Sequence, residues 1–255
     1  RIPLQRQDHR FHDTHTPDFS SHRPAIAIAC LQGQTQQGVF MFIGHFAPAL
    51  IAAAHPKAPR LGTLFVAGQL VDWGFFGLVL AGVEKMRVTP GISVMNPMDL
   101  YHMPYTHSLL GSLIWAAAFA LILRLWLKGW TAALIGGAVV VSHWFFDWLV
   151  HVPDLTWAGQ PPKLGLGLWN HPAIEMPLEI GLILLGLWLY ARRTSGPAMP
   201  LAVLAVLLLG LQAFNWLSPP PTEMDASMPI MALAAYALAT AVAWWAARGR
   251  VHTSG

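Results

Sequence analysis

The chain has 255 residues, of which 55% are hydrophobic and only 11% charged, with twelve Trp, twelve Phe and a mean hydropathy of +0.49. A soluble domain usually carries about a quarter charged residues, so this composition excludes an ordinary soluble domain, and with it intrinsic disorder, a collagen-like fibre and a disulfide-stapled secreted module. The chain reads as an integral membrane protein that nevertheless carries twelve histidines.

Residues 1–40 differ from the rest. They hold four Arg, three Asp and four His with almost no apolar periodicity, and the chain does not open on methionine. Met41 begins the first convincing apolar stretch, so the expectation is a native start near Met41 preceded by a non-native or disordered leader. Without that leader eleven basic and nine acidic residues remain, a net +2, too little to suggest a nucleic-acid partner. The sole cysteine, Cys30, also lies in the leader, so any metal must be held by nitrogen and oxygen.

About 20 apolar residues cross the hydrocarbon core as a helix. In chain order the candidates are 61–83, 109–127, 130–150, 175–190, 199–217 and 229–247. Residues 41–54, interrupted by Gly44, His45 and Pro48, predict either a strained span or a partly buried helix. The expected fold is an all-α polytopic transmembrane bundle of six or seven helices, with a site-bearing domain over 41–190. Two further helices and a short tail occupy 191–255. One set of helix ends carries eight basic residues (Lys57, Arg60, Arg124, Lys128, Arg192, Arg193, Arg248 and Arg250), and the other carries three (Lys85, Arg87 and Lys163). The excess of Lys and Arg on cytoplasmic loops puts the C-terminus in the cytoplasm of a multi-pass inner (plasma) membrane protein.

Ionisable residues within a membrane mark a functional site by default. Here they are His45, Asp72, His102, His107, His143, Asp147, His151, His171, Glu175 and Glu179, and all but Asp72 fall towards the outer side of the expected topology. His143, Asp147 and His151 are spaced i, i+4, i+8, as are His171, Glu175 and Glu179, so each set occupies one helical face. Imidazole and carboxylate without thiolate suit a divalent transition metal, zinc first with manganese or iron as alternatives, and the number of donors leaves room for one or two ions. His55 reads as interfacial, Asp154 as a turn cap after Pro153, and the Trp-rich stretches as an aromatic belt.

The segment His102-Met-Pro-Tyr-Thr-His107-Ser108-Leu resembles the H-x-x-x-T-H-S-L segment of a bacterial inner-membrane family, the membrane-bound metal-dependent hydrolases, which includes a LexA-regulated type. The order of parts is similar too: His45, then Asp72 in the next helix, the T-H-S segment, then H-x-x-x-D at His143 and Asp147. The chain departs from the family at Met103-Pro104, where Arg-Gly is usual, and at Trp73-Gly74, where a second acid and a histidine often follow. The resemblance implies a metal-dependent hydrolase; the expected topology opens its site at the extracytoplasmic leaflet, and that position alone points to a phospholipid or lipid-linked phosphoester as substrate. His102, His107, His143 and Asp147 are the first-choice ligands and His45 and Asp72 the next. Glu175 or His171 is expected as general base, with His151 and Glu179 as further ligands or supports.

Two other classes fit the same residues. A transporter or permease would use them to bind substrate or relay protons, and the glycines at 136–137 and at 165 and 167 would then mark broken helices. Bis-histidine haem ligation between facing helices is the third reading.

Overall fold

The computed structural model describes residues 43–253, so the expected leader at 1–40 lies outside the described residues. The described chain is an all-α polytopic bundle with two very small sheets. Five helices are long and apolar enough to cross a membrane. They are α4 (Leu109–Leu127), α5 (Trp130–Val150), α6 (Pro172–Arg193), α7 (Ala198–Leu217) and α8 (Ser227–Ala247). The outward faces carry Leu113, Ile114, Leu121, Ile122, Leu125 and Trp126 on α4, whereas His143, Asp147, Glu175 and Glu179 are buried. Apolar outside and polar inside is the arrangement a lipid solvent requires.

Local signals set the helix ends. The Ser108 hydroxyl accepts the amide of Gly111 at 3.0 Å and caps α4, which ends at Lys128 in a left-handed conformation (φ 58°). Pro172 occupies the first turn of α6, where its missing N–H is harmless, and Arg192 and Arg193 close the last turn. The N-cap of α6 is His171. Asn170, at the end of the short 3-10 turn Leu168–Asn170, instead accepts the amide of Val94 at 3.2 Å.

The structure corrects the expected 61–83 span. It is a broken pair, α2 (Leu61–Gly68) and α3 (Leu70–Leu80), bent by 51°. The cause is tertiary. A straight helix would give the Gly68 carbonyl to the amide four residues on, but here His143 Nδ1 binds it at 2.9 Å. On the other face the His45 carbonyl packs so closely that a Cβ on Gly68 would lie 2.7 Å from its oxygen. The segment at 41–54 yields α1 (Phe46–Ala53), eight residues or about 12 Å, too short to span.

The sequence reading did not foresee strands. After α3 the chain forms an antiparallel hairpin, β1 (Lys85–Val88) with β2 (Met98–His102). Two-residue strands β3 (Thr194–Ser195) and β4 (Val251–His252) pair at the opposite end, and His252 Nε2 binds the Ala53 carbonyl at 3.0 Å. The ends of α1, α6 and α8 therefore meet at one end of the bundle, the basic end. The β1–β2 hairpin and the 151–171 loop mark the other. Gly136 and Gly137 do not break α5. They let it pack closely on α4, since a Cβ at Gly136 would sit 2.3 Å from Leu123 Cδ1 and one at Gly137 3.2 Å from Ala120 Cβ.

Candidate metal centre

Four helices converge at the hairpin end of the interior. His45 immediately precedes α1, Asp72 sits in the first turn of α3, and His107 lies just before α4. His143 and Asp147 occupy the last two turns of α5, and His151 caps it. The bend between α2 and α3 is what turns Asp72 inward. All six residues are at most 9% exposed.

Asp147 is the hub. Its Oδ1 lies 3.2 Å from His45 Nε2 and 3.4 Å from His151 Nε2, while its Oδ2 lies 3.2 Å from His143 Nε2 and 3.5 Å from His107 Nε2. Asp72 Oδ1 faces the second pair, 3.3 Å from His107 Nε2 and 3.4 Å from His143 Nε2. Two subsets are compact enough to share an ion: His45, His143 and Asp147, and Asp72, His107 and His143. The spacing is informative. Donors on one tetrahedral ion with bonds of about 2.0 to 2.1 Å lie about 3.3 to 3.4 Å from each other, longer than a good hydrogen bond.

The surrounding bonds fix which ring nitrogen faces the centre. His143 Nδ1 must carry a proton, because its partner is the Gly68 carbonyl. The Thr106 hydroxyl gives its only proton to Glu84 Oε2 at 2.6 Å, so it must accept from His107 Nδ1 at 2.8 Å. Glu84 Oε1 also accepts the amides of Tyr105 and Thr106 at 2.8 and 3.0 Å. His151 Nδ1 lies 3.0 Å from Asp154 Oδ1, and the ring stacks on Trp169 at 4.2 Å. Rings held this way turn Nε2 towards carboxylate oxygens, an arrangement able to hold a cation between them. His143 Nε2 and Asp147 Oδ2 are accordingly buried without a hydrogen-bond partner. The donor set fits a divalent metal.

Tyr236 of α8 donates to Asp72 Oδ2 at 2.8 Å, which leaves Oδ1 for the centre. The last two helices, whose apolar spans hold neither acid nor histidine, thus still reach the site. Glu179 Oε1 accepts the amide of Gly44 at 2.9 Å and Oε2 accepts Gln212 Nε2 at 2.5 Å. Glu179 therefore holds the backbone beside His45 rather than entering the cluster.

Three expected site residues lie elsewhere. His102 is exposed on β2, opposite Lys85, because the hairpin turns its side chain out of the bundle, while the next residue, Met103, is already buried. His171 is exposed at the N-cap of α6. Glu175 is buried, but it shares the α6 face of Glu179, which packs against Gly44, Phe146 and Val150 rather than the opening. Glu84, Thr106, Asp154 and Tyr236 escaped the sequence reading as site residues. The Thr before His107 was the one available signal.

An opening of about 40 Å³ reaches the cluster, with Asp72, His107, Asp147 and His151 among its lining and Phe75, Met98 and Trp169 as apolar wall. That is room for about one water. No Lys or Arg lines it.

Comparison with protein-family models, with curated proteins and with solved structures finds no match to this chain. The fold and the cluster define it as a helical membrane bundle with a buried His/Asp group able to hold a metal ion.

The relay to His107 is testable by itself. Glu84→Gln should weaken metal affinity by about 10- to 100-fold, because the amide no longer fixes the Thr106 proton. Competition with a chromophoric chelator measures this, and an affinity equal to wild type would show that the relay does not orient His107.

Proposed function

We propose that the protein is a metal-dependent hydrolase whose site opens at the extracytoplasmic face of a bacterial inner membrane, with the basic end and the C-terminus in the cytoplasm. The observation that carries this reading is the convergence of four imidazole Nε2 atoms and two carboxylates at tetrahedral-edge spacing beneath an opening with room for about one water. The membrane-bound metal-dependent hydrolase resemblance supports it, since of the histidines and aspartates it matches His45, Asp72, His107, His143 and Asp147 belong to this cluster, and only His102 lies outside.

A bound zinc, manganese or iron ion supplies a Lewis acid and lowers the pKa of a coordinated water towards about 7. His45, His107, His143, Asp72 and Asp147 would hold it. His151 handles the proton. It lines the opening, and its Nδ1–H is held by Asp154, so Nε2 can take a proton from the attacking water and return it to the leaving group. Phe75, Met98 and Trp169 exclude bulk water around that transfer.

The role first expected of Glu175 or His171 passes to His151 on geometry. His151→Asn should lower kcat by about 100-fold or more while leaving at least half the metal in place. Loss of metal with activity would make His151 a ligand instead, and unchanged activity would remove it from the reaction.

Transport is the second reading, favoured by the break between α2 and α3 beside the site. Broken helices in transporters free backbone carbonyls for the cargo. Here the Gly68 carbonyl is consumed by His143, so the break serves to build the cluster. Metal-dependent ester hydrolysis in detergent, without a membrane gradient, separates the two.

A further inference from the structure

A second cavity has no part in the cluster. Between the hairpin-end halves of α7 and α8 lies a crevice of about 820 Å³, walled by Leu211, Phe214, Met228, Met231 and Ala235 and rimmed by Glu223 and Asp225. Both helices are candidate spans, so bilayer lipid is the medium around this crevice. We propose that it binds an acyl chain of a bilayer lipid whose headgroup carries an ammonium, and that such lipids are the substrate class of the His/Asp site. The binding half stands by itself, and the substrate half rests on the hydrolase reading.

Continuity is the first argument. Pro221 and Thr222 line both the crevice and a hollow of about 190 Å³ against the 93–97 loop, and Asn96 lines both that hollow and the opening over the cluster. Helix α8 traces the same route: Met228 and Ala232 face the crevice, and Tyr236, next in the i, i+4, i+8 series, faces the opening and binds Asp72. A chain lodged in the crevice thus leaves its headgroup linkage beside the metal ligands.

Charge is the second argument. The rim is acidic and neither the crevice, the hollow nor the opening is lined by any Lys or Arg. Hydrogen bonds from the amide and hydroxyl of Ser227 hold the Asp225 carboxyl below the usual aspartate range, so the rim keeps its negative charge. An anionic headgroup would be repelled there, and an ammonium attracted.

The test uses full-length protein in nanodiscs containing dioleoyl phosphatidylethanolamine or dioleoyl phosphatidylglycerol, each doped with its diazirine-tailed analogue, with metal content measured in parallel. Phosphatidylethanolamine should label residues 211–235 at least fivefold more than phosphatidylglycerol. Ala235→Trp, which fills the crevice, should cut that labelling at least fivefold with metal per chain unchanged. Glu223→Lys should shift the preference towards phosphatidylglycerol. Labelling that is spread over all helices, unaffected by Ala235→Trp, or stronger with phosphatidylglycerol would overturn the lipid site. Crevice labelling without hydrolysis of either lipid would leave the binding site standing and overturn its substrate role. Absence of metal would sink the hydrolase reading alone.

Discussion

Asp147→Ala is expected to abolish metal binding, with affinity falling at least about 1,000-fold and hydrolysis lost with it. The size follows from geometry. Among the described residues, Asp147 is the one within 3.5 Å of all four imidazole Nε2 atoms. Its removal leaves one carboxylate among four buried rings and takes the only carboxylate from the His45, His143 and Asp147 subset. His102→Ala and His171→Ala supply the contrast, because both residues are exposed and outside the cluster, and their metal content should equal wild type. Equilibrium dialysis followed by elemental analysis reads all three. Retained metal in Asp147→Ala would mean that the cluster is an ordinary network of hydrogen-bonded histidines.

The second large effect is expected at a residue with no functional side chain. Gly68→Val puts a branched Cβ where 2.7 Å already separates that position from the His45 carbonyl, and a backbone atom cannot swing aside as a side-chain tip can. The break between α2 and α3 must shift, carrying Asp72 away from His107 and His143 or pushing His45 away from Asp147. Destabilisation of at least about 2 kcal/mol is expected from the overpacking, together with loss of more than half of the bound metal. Thermal unfolding with and without added zinc measures both. A variant with wild-type melting and wild-type metal content would show that the close approach at Gly68 does not govern the site. Gly77 is the matched control, since a Cβ there meets nothing within 4 Å.

What could be read from the sequence was what depends on local spacing. The pattern His143, Asp147, His151 put three donors on one helical face, and the structure brings all three to the same centre. The limits of α4 and α5 were legible for the same reason: a long apolar run closed by Ser108 at one end and by Lys128-Gly129 at the turn. The bend at Gly68 was not legible, because residues 61–80 are apolar apart from Thr63, Gln69 and Asp72, and the partner that takes the Gly68 carbonyl is His143, 75 positions away. His102 illustrates the same limit. It stands in line with His107 in the sequence, but β2 carries it outward, and a five-residue strand pairing across a nine-residue hairpin loop leaves no helical periodicity to reveal that.

Partners at long range were the least accessible. Tyr236 lies 164 residues from Asp72 and Glu84 lies 22 from Thr106, and neither belongs to a spacing that marks a ligand. A tyrosine in an apolar helix reads as packing until its hydroxyl is seen to reach a carboxylate. Glu179 shows the reverse. Its spacing from Glu175 was correctly helical, while His171 proves to be the exposed N-cap; and a shared face does not say which neighbour the face meets, here Gly44 and Gln212.

The central claim is that the buried His/Asp cluster is a metal site of nitrogen and oxygen donors. X-ray absorption on the purified wild-type protein tests it most directly, after expression in metal-replete medium and without added chelator. The account predicts one to two divalent ions per chain, with a first shell of nitrogen and oxygen at about 2.0 to 2.2 Å, imidazole multiple scattering and no sulfur. A chain that carries no stoichiometric metal, or one whose ion shows sulfur ligation or no imidazole signature, would contradict it.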